Sequence, residues 1–211
     1  MRAWIIIAAP VSKEDVDFYR TIRPQNGDAI ICADGGYDNA LLFGMLPSVV
    51  IGDMDSINSS IIKGTKIIKY PKDKDKTDTE LAVDYAIENS TNEIVILGNI
   101  GGRLSHSIAN IMLLRYIINK SKEIEAMLLS AKERICLLKN GETNIAKGDS
   151  KFLSILPLTS CKGVSILQTK YEVKDADVEI GSTYLVSNEF TALNAKIKIE
   201  AGEALIIAEK L

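Results

Sequence analysis

A pair of aspartates separated by one residue is the part of this sequence with the most direct chemical meaning. Asp53 and Asp55 lie in a Gly-Asp-Met-Asp-Ser stretch at residues 52–56, directly after an apolar run at residues 49–51. The spacing can turn both carboxylates towards one hard cation, and Mg²⁺ usually takes one or two protein carboxylates together with phosphate oxygens. Asp55 or Ser56 can also cap the following helical turn, and the two functions are compatible. Because close like charges repel, two acids at a buried strand end favour a cation site.

A second charged stretch, Lys-Asp-Lys-Thr-Asp at residues 74–78, follows an isoleucine-rich run. Thr77 and Asp78 suit the start of a helix through capping and the helix dipole alone, and Glu80 stands at capping-box spacing from Thr77. The density of charge directly after a predicted strand nevertheless places acids and lysines at the same sheet edge as Asp53.

Two glycine-containing turns indicate phosphate binding. Asp34, Gly35 and Gly36 follow an apolar run, and a Gly-Asn-Ile-Gly-Gly-Arg stretch at residues 98–103 follows another. Glycine lets the backbone approach a ligand closely, and a helix that begins after the turn offers free N–H groups to an anion. Asp-Gly-Gly is also a common tight turn, and the second stretch matches neither the dinucleotide fingerprint nor the Walker pattern.

Three polar residues recur at helical spacing after Gly101 and Gly102. Arg103, His106 and Asn110 stand at i, i+3 and i+7 and therefore share one helical face. Arg is well suited to clamp phosphate oxygens. His106 is the only histidine, and a lone helical histidine is usually structural, so the sequence alone gives it no catalytic role. Together these segments indicate nucleotide-dependent phosphoryl-type transfer.

The elements that must position these residues alternate in the first 133 residues. Short runs rich in Ile and Val are typical of strands buried on both faces, and helical patterns lie between them, with Ser12 and Asp15 at capping-box spacing. The runs lie at residues 4–8, 29–33, 49–51, 66–70, 94–97 and 125–129. The order predicts an α/β domain, a Rossmann-like parallel sheet flanked by helices, with ligands bound outside the carboxyl ends of the strands.

The rhythm changes after residue 133. Short stretches alternate or cluster at period two, and turn signals fall between them, which is typical of an antiparallel β-sandwich or barrel. The predicted turns are Asn140-Gly141, Gly148-Asp149, Lys162-Gly163, Ile180-Gly181 and Ala201-Gly202. We therefore predict two domains, an α/β domain at residues 1–133 and a smaller antiparallel β-sandwich at residues 134–211.

The composition argues against several classes of protein. Lys and Arg number 25 and Asp and Glu 28, a formal net charge of −3, without the basic excess that predicts nucleic-acid binding. Cys32, Cys136 and Cys161 are widely spaced in apolar stretches, which predicts reduced core thiols rather than disulfides or zinc ligands. The apolar run at the N-terminus is short and closed by Pro10, and no other run approaches a membrane span. We expect a cytoplasmic protein.

The segments that carry the chemistry resemble motifs of the thiamine pyrophosphokinase family, and they occur in the family's order. The matching stretches are Ala-Asp-Gly-Gly at residues 33–36, residues 47–56, Lys-Asp-Lys-Thr-Asp at residues 74–78, Gly-Gly-Arg at residues 101–103 with His106 and Asn110, and Ser-Asn-Glu-Phe at residues 187–190. The resemblance implies transfer of the pyrophosphoryl group of ATP to thiamine, which gives AMP and thiamine diphosphate. It also implies a homodimer whose active site lies between the α/β domain of one subunit and the β domain of the other.

The resemblance further implies a role for each matching residue. Asp53, Asp55 and Asp78 would bind Mg²⁺ and, with Arg103, carry the catalytic chemistry; Asp53 or Asp78 could accept the proton of the thiamine hydroxyl. The residues that would bind or adjoin ATP are Asp34, Gly35, Gly36, Asp75, Thr77, Gly101, Gly102, His106 and Asn110. Ser187 and Asn188 would contact thiamine.

Two positions depart from the family pattern, both on the acceptor side. Ser105 stands where the family usually has Asp, and residues 168–171 keep only Tyr171 of a Gly-Leu-x-Tyr stretch. These departures leave open a diphosphokinase with another hydroxymethyl acceptor, such as a pterin, and a non-catalytic ligand-binding homologue. A purely structural β-rich interaction module would leave the clustered acids unexplained.

Overall fold

The structure, a computed structural model, describes residues 1–98 and 101–210. Asn99 and Ile100 of the predicted glycine-rich stretch, and Leu211, lie outside the described residues. The chain forms two compact units, Met1–Ala131 and Lys132–Leu211.

The first unit alternates strands and helices. Its elements are β1 (Arg2–Ile6), α1 (Lys13–Tyr19), β2 (Ala29–Ala33), α2 (Gly36–Leu42), β3 (Val49–Gly52), β4 (Lys66–Lys69), α3 (Asp78–Glu88), β5 (Glu93–Leu97), α4 (Leu104–Lys120) and β6 (Glu125–Leu129). All of these strands pair in parallel, in the order β6-β5-β1-β2-β3-β4. The predicted parallel sheet with flanking helices is confirmed. Strands β2, β3 and β4 follow in chain order on one side of β1, whereas β5 and β6 follow on its other side. The strand order therefore reverses between β1 and β5.

Helices bury both faces of this sheet. Alternate strand residues, among them Trp4, Ile6 and Cys32, share one core with Tyr19 of α1 and Tyr37 of α2. The intervening residues of β1, β2, β3 and β5 are mostly buried as well, whereas the edge strand β4 is largely exposed. The helices α3 and α4 contact the sheet without belonging to that core. Burial on both faces explains why the strands read as apolar runs without polar alternation.

The helices begin at the residues that the capping patterns predict. Ser12 caps α1, accepts a hydrogen bond from the Asp15 N–H and completes the reciprocal capping box. Thr77 caps α3 and accepts from the Glu80 N–H at 3.1 Å. The longest helix, α4, has 17 residues. Within the described residues, none of the helices combines the length and apolar character needed to traverse a lipid bilayer.

A glycine at the start of α2 sets how closely this helix approaches β1. A Cβ atom at Gly36 would lie 2.1 Å from the carbonyl oxygen of Ile6, well inside van der Waals contact. No other residue type fits here without displacing the backbone. The close approach brings the turn that holds Asp34 next to the carboxyl end of β1.

The second unit is antiparallel. Its elements are β7 (Glu133–Ala146), β8 (Phe152–Pro157), β9 (Cys161–Leu167), β10 (Val173–Val178), β11 (Asn188–Glu189) and β12 (Asn194–Glu209). The first half of β12 pairs with β7 and β9, its second half pairs with β7 and β8, and β10 and β11 add to β9 and β8. Ile197 of β12 and Ile166 of its partner strand β9 share a single core with Ile206 of β12 and Ile155 of its partner strand β8. This arrangement is the predicted antiparallel β domain.

Three of the predicted turns are wrong, because the chain uses these residues to bend strands. Residues 140–141 lie inside β7 and residues 201–202 inside β12, where the pairing register of the two strands shifts. Asn140 and Gly202 have φ of +46° and +123°, values that suit a bulge as well as a turn. Residues 162–163 lie inside β9, opposite another register shift. Asn140 and Gly202 therefore bend the long strands β7 and β12 instead of ending them.

The three cysteines are free thiols, as predicted. Cys32 and Cys161 are buried, and Cys136 is partly buried. Burial raises the pKa of all three thiols, that of Cys136 to about 11. Because the thiolate is the reactive form, we expect these thiols to react slowly with electrophiles and oxidants.

Candidate active site

The carboxyl ends of the strands open into one cleft of about 590 Å³, here called the strand-end cleft. It is lined by residues from the segments 7–10, 33–34, 72–79 and 101–110, and by Asp53. These segments follow β1, β2, β4 and β5, and Asp53 follows β3. The cleft therefore lies at the point where the strand order reverses, which is where open α/β sheets bind ligands. The predicted site residues that line it are Asp34, Asp53, Thr77, Asp78, Gly101, Gly102, Arg103, His106 and Asn110.

A second cavity, of about 690 Å³, lies at the amino ends of the strands. Among its charged side chains, Arg2 pairs with Glu93 at 2.7 Å, and Asp28 accepts from the Trp4 indole N–H at 3.0 Å. The strand-end cleft is the candidate active site because it collects the predicted residues.

Three aspartates, Asp34, Asp53 and Asp55, form an acidic group in which one carboxylate oxygen from each lies within 4.8 Å of the others. Asp34 is buried and has φ of +45°, and its Oδ1 accepts a hydrogen bond from the Met54 N–H at 3.1 Å. Met54 has φ of +70°. Left-handed backbone at non-glycine residues is strained, and here it turns adjacent acids towards one point.

The acidic group suits a hard divalent cation. Its donors are all carboxylate oxygens, which is the ligand type that Mg²⁺ prefers, and three like charges this close are unfavourable without a counter-ion. In the structure the Lys72 ammonium lies 2.7 Å from Asp55 and lowers the pKa of that carboxyl. Both partners of this ion pair are largely exposed, so Lys72 is a readily exchanged counter-ion rather than a fixed one.

Asp78 lies beside the acidic group rather than within it. Its Oδ1 is 3.1 Å from the ammonium of Lys74, and a Cβ at Gly52 would contact both Asp78 and Asp34. Burial raises the pKa of Asp78, and the charges of Asp34 and Asp53 add to that effect, although Lys74 opposes it. The structure therefore brings Asp53 and Asp55 together with Asp34 and places Asp78 as an adjoining carboxylate with a different environment.

The opposite wall of the cleft consists of glycine backbone and the first turns of α4. Gly101 and Gly102 have φ of +142° and +73°, and a Cβ at either would crowd Pro10. Arg103 is the N-cap residue of α4 with an extended backbone and an exposed side chain. The N-terminus of this helix presents N–H groups and the positive end of a dipole to the cleft, an arrangement that favours anions.

Four predicted residues of the first unit do not line the cleft: Asp55, which belongs to the acidic group beside it, and Gly35, Gly36 and Asp75. Gly35 and Gly36 are buried, and Gly36 serves the contact between α2 and β1 described above. Asp75 is exposed on the loop before α3. The glycines therefore shape the turn that holds Asp34, and their contribution to a ligand site is indirect.

Ser187 and Asn188 belong to the second unit and differ in their environment. Ser187 is exposed, with φ of +61°. Asn188 is buried, and its Nδ2 donates to Thr169 Oγ1 at 3.1 Å and to the Tyr171 carbonyl at 2.8 Å. Its Oδ1 accepts from the N–H groups of Tyr171 and Glu189. These four bonds use both amide hydrogens and both acceptor positions, so Asn188 fixes the 169–171 segment rather than presenting its amide to a ligand.

Several residues that line or support the cleft were given no individual role from the sequence. Lys72 and Lys76 line the cleft, and together with Lys74 they alternate along one loop, a pattern that could have indicated a polyanion. The segment after β1, residues 8–10, carries no polar side chain and gave no signal. Asn39 was missed as well; its Nδ2 donates to the carbonyls of Ile7 and Ala9 at 2.8 and 3.0 Å and so holds this segment in place.

Comparisons with known proteins identify the same architecture. The family model "Thiamin pyrophosphokinase, catalytic domain" matches residues 24–128, and "Thiamin pyrophosphokinase, vitamin B1 binding domain" matches residues 142–206. Thiamine pyrophosphokinase of Bacillus subtilis (strain 168) is 29% identical over 184 residues, which cover 84% of this chain and 85% of that protein. Thiamin pyrophosphokinase 1 of Caenorhabditis elegans is 27% identical over 177 residues, which cover 78% of this chain and 70% of that protein.

Solved structures show the same fold over the whole length. The crystal structure of thiamine pyrophosphokinase from Bacillus subtilis has a TM-score of 0.88 at 24% identity and covers 100% of this chain and 99% of that one. Thiamin pyrophosphokinase from Candida albicans has a TM-score of 0.78 at 17% identity, with coverage of 100% and 89%. Since the two family models together match most of the sequence, in the order of the two units, the chain belongs to the thiamin pyrophosphokinase family.

Proposed function

We propose that this chain is a thiamine pyrophosphokinase, an enzyme that transfers the pyrophosphoryl group of ATP to the hydroxyl of thiamine and releases AMP. The observation that carries the proposal is the strand-end cleft, in which an acidic group faces a glycine wall and a helix N-terminus. Phosphoryl-type transfer needs positioning of a polyphosphate and neutralisation of its charge, and this cleft supplies groups for both.

The glycine wall is the proposed site of the ATP phosphates. Gly101 and Gly102 let the backbone approach phosphate oxygens, and Arg103 can donate two parallel hydrogen bonds to them. Lys72 and Lys74 approach from the other wall, where they now pair with Asp55 and Asp78. We expect these two ammonium groups to transfer to phosphate when the nucleotide binds.

The acidic group of Asp34, Asp53 and Asp55 is the proposed Mg²⁺ site, with Asp78 adjoining it. These three carboxylates would hold the ion, which would supply the positive charge needed to offset the negative charge of the phosphates during transfer. Asp34 and Asp53 are held by hydrogen bonds to the Met54 and Asp55 N–H groups, so their carboxylates are oriented before any ligand arrives.

Asp78 is the proposed acceptor of the proton from the thiamine hydroxyl, which attacks the β-phosphorus of ATP. It lies beside the acidic group and not within it, and burial raises its pKa, which makes its carboxylate a better base. Lys74 at 3.1 Å orients this carboxylate. Asp53, the other residue considered for this role, belongs to the acidic group, and a cation there would weaken it as a base.

We also propose that the chain works as a homodimer. Leu104, Ile108 and Met112 follow one another at intervals of four residues along α4, and each is at least 38% exposed. This α4 stripe is an apolar helix face next to the cleft residues Arg103 and His106, as expected of a surface that a second subunit covers. The free thiols and the use of ATP support a cytoplasmic location.

The test is AMP formation by the purified chain from ATP and Mg²⁺, with and without thiamine. Thiamine-dependent AMP, together with thiamine diphosphate in equal amount, would establish the reaction. Turnover with a hydroxymethyl pterin but not with thiamine would favour another diphosphokinase. ATP binding without turnover on any acceptor would favour a non-catalytic homologue.

A further inference from the structure

Three lysines line the strand-end cleft from the loop before α3, and Lys76 differs from the other two. Lys72 and Lys74 each pair with one aspartate at the cleft. The ammonium of Lys76 instead contacts the carboxylates of Asp84 and Glu80, both on α3. Lys76 is therefore bonded away from the polyphosphate site that its position on the cleft wall suggests.

A tyrosine of α4 completes this contact. The Tyr116 hydroxyl donates to Asp84 Oδ1 at 2.6 Å and lies 3.4 Å from the Lys76 ammonium. The ammonium also lies 5.7 Å from the centre of the Tyr116 ring, within range of a cation–π interaction. Asp84 thus binds Lys76 with one carboxylate oxygen and Tyr116 with the other.

The hydrogen-bonding capacity of the Lys76 ammonium is used up in this arrangement. An ammonium has three N–H donors, and three oxygen acceptors surround it, one each from Asp84, Glu80 and Tyr116. The bond to Asp84 is also the chief cause of a raised pKa at Lys76, so its charge is permanent at neutral pH.

We propose that Asp84 and Tyr116 are positioning residues that hold Lys76, and that these three residues, here called the lysine tether, fix the 74–78 segment between α3 and α4. The inference rests on the function proposed above. α3 begins directly after this segment and delivers Asp78 to the cleft, whereas α4 delivers Arg103. The lysine tether joins the two helices and so sets the separation of the acidic wall from the glycine wall.

The decisive variant is Tyr116→Phe, which removes one hydroxyl and keeps the ring. Tyr85→Phe is the matched control, because the Tyr85 hydroxyl also lies 3.4 Å from a lysine ammonium, that of Lys66, and its ring lies 5.1 Å from the same group. Lys66 and Tyr85 do not line the cleft. Each variant is assayed for ATP binding by calorimetry, for hydrogen exchange of residues 72–79, and for steady-state kinetics.

With Tyr116→Phe we expect faster exchange in residues 72–79, an ATP Kd and KM raised about fivefold to tenfold, and a smaller loss of kcat. Tyr85→Phe should match the parent chain. Lys76→Met should weaken ATP binding in the parent chain, and it should add little to Tyr116→Phe because both break the same unit.

Two results would overturn the inference. One is unchanged exchange and ATP affinity in Tyr116→Phe. The other is full additivity of Lys76→Met and Tyr116→Phe, since Lys76 would then bind phosphate independently of Tyr116. Calorimetry and hydrogen exchange need no turnover. If the chain binds ATP but makes no thiamine diphosphate, the proposed function is contradicted, and these two measurements still test the role of the lysine tether.

Discussion

At the scale of single residues, the carboxylates of the strand-end cleft differ in what surrounds them. Asp34 is buried and held by a backbone N–H, Asp55 is exposed and paired with Lys72, and Asp78 is partly buried between Lys74 and the acidic group. The identical functional group therefore has a different expected role at each position, and substitutions separate these roles.

Asp53→Asn should abolish turnover without unfolding the chain. Asp53 is at a loop edge and partly exposed, and the amide keeps the shape while it removes the charge of a proposed Mg²⁺ ligand. We expect kcat/KM to fall at least about 100-fold, with a melting temperature that does not fall, because the amide also relieves like-charge repulsion in the acidic group. Asp73→Asn, an exposed acid that does not line the cleft, is the control and should retain activity. Full activity in Asp53→Asn would contradict the metal assignment.

Asp78→Asn should raise the melting temperature of the ligand-free chain while it abolishes activity. The raised pKa of Asp78 means that the folded chain binds this proton more tightly than the unfolded chain, so the ionised form disfavours folding. The gain should be about 1–3 °C at pH 7.5, and it should shrink as the pH falls towards the ordinary carboxyl pKa of 3.8. A lower melting temperature at pH 7.5 would show that the ion pair with Lys74 outweighs burial.

Ser105→Asp tests the acceptor side. Ser105 is exposed in the first turn of α4, where a carboxylate also interacts favourably with the helix dipole. If the chain uses thiamine, we expect a lower KM for thiamine, about twofold to tenfold, with the KM for ATP unchanged. Ser60→Asp, at an exposed position that does not line the cleft, is the control. No change or a higher KM for thiamine would mean that this chain binds its acceptor in a different way.

At the scale of elements, the capping patterns and apolar runs identified α1, α3 and the strands of the first unit well, because these signals are local. The long strands β7 and β12 were not identified as single elements. Asn140 and Gly202 are turn residues by type, yet the chain uses them at a bulge, and only the partner strand distinguishes the two. The sequence shows which residues favour a turn, but it does not show the strand pairing that decides between a turn and a bulge.

Gly36→Ala tests the contact between α2 and β1. The new Cβ would lie 2.1 Å from the Ile6 carbonyl oxygen, so the helix must move and the Asp34 turn with it. We expect a loss of at least about 3 kcal/mol in the free energy of unfolding, measured by urea denaturation. Gly64→Ala is the control; its φ of +102° carries strain but its surroundings are open, so its cost should be near 1 kcal/mol. Similar costs for both would show that α2 can shift freely.

At the scale of the whole molecule, the strand order creates the active site. The sequence indicated which segments follow which strands, and therefore Asp34, Asp53 and Arg103 as site residues. It did not indicate that β5 lies beside β1, which brings Arg103 opposite the acids. Strand order depends on packing between distant segments and leaves no local pattern. The lysine tether was hidden for the same reason, since Lys76 and Tyr116 are 40 residues apart.

Ile108→Glu tests the proposed homodimer. Ile108 is the middle residue of the α4 stripe and is 51% exposed, so a charge there costs the single subunit little and opposes burial by a partner. We expect a dimer of the parent chain to become a monomer of 23.1 kDa in analytical ultracentrifugation, with activity lost in parallel. Leu46→Glu, in the turn between α2 and β3 and 72% exposed, is the control. A dimer that persists in Ile108→Glu would exclude this face.

The low reactivity of the three cysteines has a practical consequence. A thiol with a pKa of about 11, as at Cys136, is ionised in only about one molecule in a thousand at pH 8, and Cys32 and Cys161 are buried. The native chain should therefore ignore maleimide dyes and mild oxidants. A cysteine introduced at the exposed Leu46 or Tyr184, one in each unit, would be the single labelled position on its unit. Fluorophores at these two sites can then report whether ATP changes the distance between the units, and the natural cysteines need not be replaced.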